Sequence, residues 1–287
     1  MEFDPAFVER EYNNRRLVPD HPAYFARWQR DSEFVRATLP CALEVAYGTD
    51  PRHRIDLFPA ANARGTLIFF HGGYWRSLDK DMFSWLAAAW VAAGVNVAMP
   101  NYRLVPAVRI DDIIDDAIAA SNFILGSESG VRDEISHEAG IRNGFSRGPV
   151  VLCGHSAGGH LTAALLAAPR SAFRFDLARI AGGVAISGIV DFEPLRQYSF
   201  NSEFKLDEAG VRRLNLHDKR PTIAAPLVVA VGGSESAEFL RQSRLLAQSW
   251  KPAVKSLLLL PGLNHFSVVD AFAERGQPLY EETLALF

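Results

Sequence analysis

The sequence predicts an α/β fold, a mostly parallel central sheet with helices on both faces, and three observations carry that expectation. Short, continuously apolar runs recur along the chain, the pattern of strands buried on both sides. Segments with helical spacing lie between them, so strand and helix alternate as βαβ crossovers require. The 287 residues, 48% hydrophobic and 22% charged, suffice to bury a large core without disulfides or metals.

The first forty residues are the most charged and aromatic stretch, with Glu9, Arg10, Glu11, Tyr12, Arg15 and Arg16 among them. They predict one or two amphipathic helices broken near Pro19 and Pro22. Residues 1–40 thus read as a helical segment packed on the body, either bracing it or lying over a pocket as a lid. Residues 41–287 read as the α/β domain. Within it, Leu43–Tyr47 and Arg54–Phe58 flank a Gly-Thr-Asp-Pro turn and form a candidate hairpin. The buried runs follow at Thr66–Phe70, Val95–Met99, Val150–Cys153, Ile180–Ile186, Leu227–Val231 and Ser256–Leu260. Helical patterns occupy Met82–Ala93, Asp111–Leu125, Ala157–Ala168 and Ala237–Trp250.

Several function classes are excluded early. The net charge of −3 argues against a nucleic-acid binder driven by basic excess. Met82–Tyr102 carries no charge, yet Gly94, Asn96 and Pro100 divide it. The apolar run before the glycine is shorter than the roughly 20 residues a bilayer needs, so no membrane association is expected. No secretory signal is visible at Met1-Glu2-Phe3-Asp4. Cysteine usage, Cys41 and Cys153 alone, fits a reducing cytoplasm. No His-Glu-x-x-His, Walker loop or Cys/His cluster appears, so neither metal nor cofactor is expected. A homodimer is one possible oligomeric state that the sequence leaves open.

In open sheets of this kind, chemistry sits at the carboxyl ends of the strands. The strand at Val150–Cys153 runs into Gly154-His155-Ser156-Ala157-Gly158-Gly159-His160. Gly-x-Ser-x-Gly between a strand and a helix is a nucleophile elbow, because side chains two residues either side of the serine would collide across the turn. Ser156 is the candidate nucleophile. A serine hydroxyl needs a base, and histidine titrates in the right range. Of the eight histidines, His155 and His160 lie in the elbow, His21, His53, His137 and His217 follow no core strand, and His71 opens a glycine loop. His265 remains, just past the last apolar strand, in the α/β-hydrolase order of nucleophile then histidine. The orienting acid should follow a strand between the two. Glu235, after Leu227–Val231, is preferred, and Asp191 is the rival. For the oxyanion, His71-Gly72-Gly73-Tyr74-Trp75 after Thr66–Phe70 offers backbone amides at Gly72 and Gly73, and the elbow adds that of Ala157.

His-Gly-Gly-Tyr-Trp, Gly-His-Ser-Ala-Gly-Gly-His-Leu and the spacing to His265 resemble the kynurenine formamidase (arylformamidase) branch of the α/β-hydrolases, near the hormone-sensitive-lipase-like esterases. Tyr12-Asn13-Asn14-Arg15, Ser187–Leu195 and the stretch from Glu238 to Ser243 extend the similarity over about residues 10 to 270. The family usually carries aspartate where this chain has Glu235, and glutamate serves that role in other α/β-hydrolases. The resemblance implies the α/β-hydrolase fold and a small acyl substrate, N-formylkynurenine, cleaved to kynurenine and formate in tryptophan breakdown. Such a substrate needs little room on its acyl side and an aromatic slot for its amine, which Tyr74, Trp75 and Phe266 could line. Arg103, after a strand, is a candidate for a substrate carboxylate, although a surface position suits it better. The alternatives are a broad short-acyl carboxylesterase with the same triad and a non-catalytic ligand-binding protein of this fold.

Overall fold

A computed structural model describes residues 3–126, 144–145 and 147–287; His137 lies outside them. Eight strands form one sheet: β1 (Ala42–Ala46), β2 (Arg54–Phe58), β3 (Gly65–Phe70), β4 (Val95–Pro100), β5 (Val150–His155), β6 (Ile180–Ile186), β7 (Leu227–Gly232) and β8 (Val254–Leu260). Their spatial order is β1-β2-β4-β3-β5-β6-β7-β8. The β1–β2 and β2–β4 pairs are antiparallel and every other pair is parallel. This is the α/β-hydrolase arrangement, and each of the eight runs read from the sequence is a strand.

Period-two alternation splits the sheet between two cores. Leu67 and Phe69 of β3, Val151 and Cys153 of β5, and Val228 and Ala230 of β7 belong to one. Ile68 and Phe70, Val150 and Leu152, and Val229 and Val231 belong to the other. Full burial of each large apolar side chain contributes about 1.5–3 kcal/mol. The first core is covered by helices α3 (His21–Thr38), α4 (Leu86–Ala92), α10 (Val268–Ala273) and α11 (Pro278–Leu284), through Trp28, Trp90, Phe272 and Tyr280. The second lies under α1 (Pro5–Tyr12), α5 (Ile110–Leu125), α6 (Ala157–Ala167) and α9 (Ala237–Ser249). Ten of the eleven residues of α6 are buried, so this helix is apolar all round, as a central helix must be. Short helices α7 (Asn201–Phe204) and α8 (Glu208–Leu214) fill the excursion between β6 and β7.

Met82–Tyr102 resolves into the 3₁₀ turn Lys80–Phe83, helix α4 and strand β4, with Gly94 at φ +76° ending the helix. Among the described residues no helix is long and apolar enough to cross a membrane. The amino-terminal segment differs in detail from the sequence expectation. It makes three helices, α1, α2 (Asn14–Leu17) and α3, and Pro22 starts α3 instead of breaking it. A first-turn position has no intrahelical bond to lose, so proline is tolerated there. Ion pairs from Arg27 to Asp270 (2.7 Å) and from Arg36 to Asp56 (3.1 Å) join α3 to the body.

The strand registers set the site. Phe70 pairs with Gly154, His155 with Ile186, Ile186 with Ala230 and Gly232 with Leu260. The carboxyl ends of β3, β5, β6, β7 and β8 therefore finish level, and the loops after them converge.

Candidate active site

At the end of β5 the chain reverses within one residue. Ser156 sits at φ 57°, ψ −115°, a conformation costing of order 1–3 kcal/mol that only surrounding structure can hold. Its N–H donates to the Ile186 carbonyl (2.8 Å). The flanking glycines are steric necessities: a Cβ on Gly154 would lie 2.2 Å from the Gly158 carbonyl oxygen, and one on Gly158 only 1.9 Å from that of Phe70. The turn presents the Ser156 hydroxyl at the first turn of α6, where amides such as that of Ala157 have no intrahelical acceptor and the helix dipole favours negative charge.

The loops after β7 and β8 interlock. Gly233 N–H donates to Leu260 O (2.7 Å) and Ser234 N–H to Leu263 O (2.9 Å). A Cβ on Gly232 would strike Leu263 O at 2.3 Å, so glycine permits this approach. The latch brings Glu235 and His265 together, with Oε2 of Glu235 2.6 Å from Nδ1 of His265. Both side chains are almost wholly buried. The other carboxylate oxygen accepts from Ser187 Oγ (2.5 Å) and from Gly232 N–H (2.8 Å). An ionised carboxylate only accepts, so Nδ1 carries the proton and Nε2 is left free to take one. Asp191 is engaged elsewhere: Oδ2 pairs with Arg241 (2.9 Å) and Oδ1 accepts from Glu193 N–H (3.1 Å). Ser187 escaped the sequence reading. It entered there only as the first residue of a stretch shared with the resembled family, and the structure places it one residue past β6 at φ 51°.

The loop after β3 approaches from the other side. A Cβ on Gly72 would lie 3.2 Å from Ser156 Cβ, and Gly73 adopts φ +116°, where a side chain would meet Ser77 O at 2.1 Å. The carbonyl of Gly73 accepts from Arg76 N–H (3.1 Å) and from Ser77 N–H and Oγ (both 3.0 Å). Its neighbour His71 is buried between Tyr102 and Phe83, and burial lowers its pKa to about 4, so the ring is neutral and structural.

These loops floor a cleft that opens to solvent. Ser156, His265, Gly72, Gly73 and His155 line its base. One wall is Phe25, Trp28, Phe83 and Phe266, and the other is Tyr74, Tyr198 and Phe200, each set in mutual ring contact. Asn13, Asn14, Arg15, Arg76 and Ser77 add polar groups. Burial, then the adjacent His265 imidazole, holds His155 well below its ordinary pKa. Of the three aromatic residues named for a substrate slot, Tyr74 and Phe266 line the cleft. Trp75 does not: its fully buried ring packs against His160 and Phe192 on the core side. Arg103 is held by both oxygens of the buried Asp116. Neither residue lines the cleft.

Among the described residues one cluster has cation-binding spacing, Glu44, Asp56 and Asp81, whose oxygens come within 4.8 Å of one another. Lys80, 1% exposed, already sits among all three, and Arg36 pairs with two of them. The cluster reads as an internal ion network.

A family model described as the alpha/beta hydrolase fold matches residues 67–223. Over 284 residues the chain is 26% identical to a kynurenine formamidase of Danio rerio, covering 93% of this chain and 91% of the relative. A candidate thioesterase from Silicibacter sp. TM1040 has a similar structure, with TM-score 0.80 and 32% identity over 100% of this chain and 98% of that one. Esterase B of Lactobacillus rhamnosis superposes with TM-score 0.65 over 96% and 94%; at 18% identity this likeness shows the fold alone.

Proposed function

This chain belongs to the α/β-hydrolase fold family and is a hydrolase, and from that premise we propose that it is an arylformamidase that cleaves N-formylkynurenine to kynurenine and formate. The observation that carries the reading is the buried Glu235–His265 pair, 2.6 Å apart, whose histidine lines the same aromatic-walled cleft as Ser156. Similarity to the Danio rerio kynurenine formamidase over nearly the whole chain supports the same substrate. In this reaction Ser156 Oγ attacks the formyl carbon while His265 Nε2 takes its proton. The Gly72, Gly73 and Ala157 amides receive the oxyanion. His265 then protonates the aryl amine, kynurenine leaves, and water attacks the formyl ester of Ser156 to release formate. Glu235 keeps the imidazole in the accepting tautomer and stabilises the imidazolium. The hydrogen on a formyl carbon asks for little acyl space, and the two aromatic walls suit the departing anilide. In the cell we assign this step to tryptophan breakdown in the cytoplasm.

A second reading, hydrolysis of short acyl esters or thioesters, draws support from the 32% identity to the candidate thioesterase. Comparing kcat/KM on N-formylkynurenine, p-nitrophenyl acetate and an acetyl thioester tests both. The formamide should lead. An ester or thioester ahead by orders of magnitude would replace the first reading with the second.

A further inference from the structure

We propose that Arg15, with the side-chain amide of Asn14, forms an anion subsite at the cleft rim that takes the α-carboxylate of the substrate. The identity of that carboxylate rests on the formamidase reading; the subsite itself rests on four observations. The cleft lining contains two arginines and no acidic residue. One of them, Arg76, is already neutralised by a two-pronged pair with Glu203, at 3.0 and 2.5 Å. Among the described residues Arg15 has no carboxylate partner; its exposed guanidinium stands 5.6 Å from the centre of the Phe25 ring, on the cleft wall. Finally, Asn14 is 6% exposed, lines the same cleft, and its Nδ2 is buried with no hydrogen-bond partner. A buried donor left unmet is costly, of order 1–3 kcal/mol, and an incoming carboxylate oxygen would meet it.

The segment bearing these groups is fixed in place. Tyr12 OH donates to Glu238 Oε2 (2.7 Å) and accepts from Gln242 Nε2 (2.8 Å), and Tyr74 OH donates to the Tyr12 carbonyl (2.5 Å). Asn13 caps the following turn through Arg16 N–H and donates to Glu9 (3.0 Å). The backbone that carries the exposed Arg15 side chain therefore has little ordering left to lose on binding. N-formylkynurenine carries its carboxylate at the far end from the formyl group, so one molecule would reach from Ser156 toward the rim.

The test separates binding from turnover. Calorimetry on the full-length protein compares kynurenine with its uncharged α-carboxamide, in wild type, Arg15→Met, Arg15→Lys and Asn14→Ala. Wild type should bind the acid about 10–100-fold more tightly than the carboxamide, the range of a charge-assisted hydrogen-bonded pair. Arg15→Met should erase that preference and Arg15→Lys keep part of it. Asn14→Ala should cut it about fivefold, and the wild-type preference should shrink with added salt. A preference that survives in Arg15→Met, or is absent in wild type, overturns the subsite. Failure of wild type to hydrolyse N-formylkynurenine overturns the formamidase reading instead, and the binding comparison still stands or falls separately.

Discussion

Replacing Glu235 by glutamine tests the pair at the centre of the site, and the structure dictates how the replacement will sit. Two fixed donors, Gly232 N–H and Ser187 Oγ, converge on Oε1, so the glutamine carbonyl oxygen must turn toward them. Its NH₂ group then faces Nδ1 of His265, where Oε2 stood at 2.6 Å. A donor opposite Nδ1 selects the tautomer with hydrogen on Nε2, the nitrogen that accepts the Ser156 proton in the proposed mechanism. The stabilising charge on the imidazolium is lost as well. Together these should lower kcat by about 10³–10⁴, or roughly 4–5.5 kcal/mol of transition-state stabilisation, with KM nearly unchanged. Steady-state kinetics on N-formylkynurenine and on p-nitrophenyl acetate read the effect, and thermal unfolding checks that the variant is folded. Asp191→Asn, which touches only the Arg241 pair and a turn, should stay within several-fold of wild type. If Asp191→Asn falls further than Glu235→Gln, the orienting acid is Asp191 and the reasoning is wrong.

Four other expectations follow from the same geometry. Ser156→Ala should abolish turnover and labelling by an organofluorophosphonate while leaving the unfolding midpoint close to wild type; residual labelling at the site would point to another nucleophile. Gly158→Ala would drive a Cβ to 1.9 Å from the Phe70 carbonyl oxygen, and should cost about 3 kcal/mol or more in urea unfolding; a loss below 1 kcal/mol would mean the elbow relaxes freely. Lys80→Met leaves the fully buried Asp56 short of its 3.0 Å partner, so stability should drop about 3–5 kcal/mol and recover in part when Asp56→Asn is added. Acid should also weaken the fold. Burial lowers His71 to about 4, His160 to about 3 and His155 well below its usual value. The unfolded chain protonates each near pH 6.5, so their contribution is complete above that pH and is lost as pH falls toward 4. Three such groups give a slope of about 4 kcal/mol per pH unit near pH 5. Urea midpoints across that range should show it, and His160→Gln should flatten it by about a third.

Much of this site is legible in the sequence because its parts are local. The elbow, the glycine loop and the strand ends are short motifs whose shapes follow from steric rules, and the position of Glu235 after β7 follows from the order of strands. What escapes a linear reading depends on distant partners. Arg103 looks available until Asp116 is seen folded against it. Trp75, adjacent to the glycine loop after β3, turns inward, its ring packing in the core where Tyr74 and Trp75 both adopt positive φ. Lys80, a residue expected at the surface, is buried only because three carboxylates meet it. The helices α10 and α11 are six and seven residues long, too short for hydrophobic periodicity to declare itself. Even Pro22 needed the docked geometry of α3 to read as an opening residue.

The anchor at Tyr12 also orders events in time. Its two side-chain partners lie 226 and 230 residues downstream. While the polypeptide is still being made, the segment of Asn13, Asn14 and Arg15 can meet Tyr74 early, but the two partners of the Tyr12 hydroxyl, Glu238 and Gln242, come only near the end, and His265 later still. Ser156 is translated long before the histidine to which the proposed mechanism hands its proton. A chain made only as far as Ser156 therefore lacks Glu238, Gln242 and His265 together.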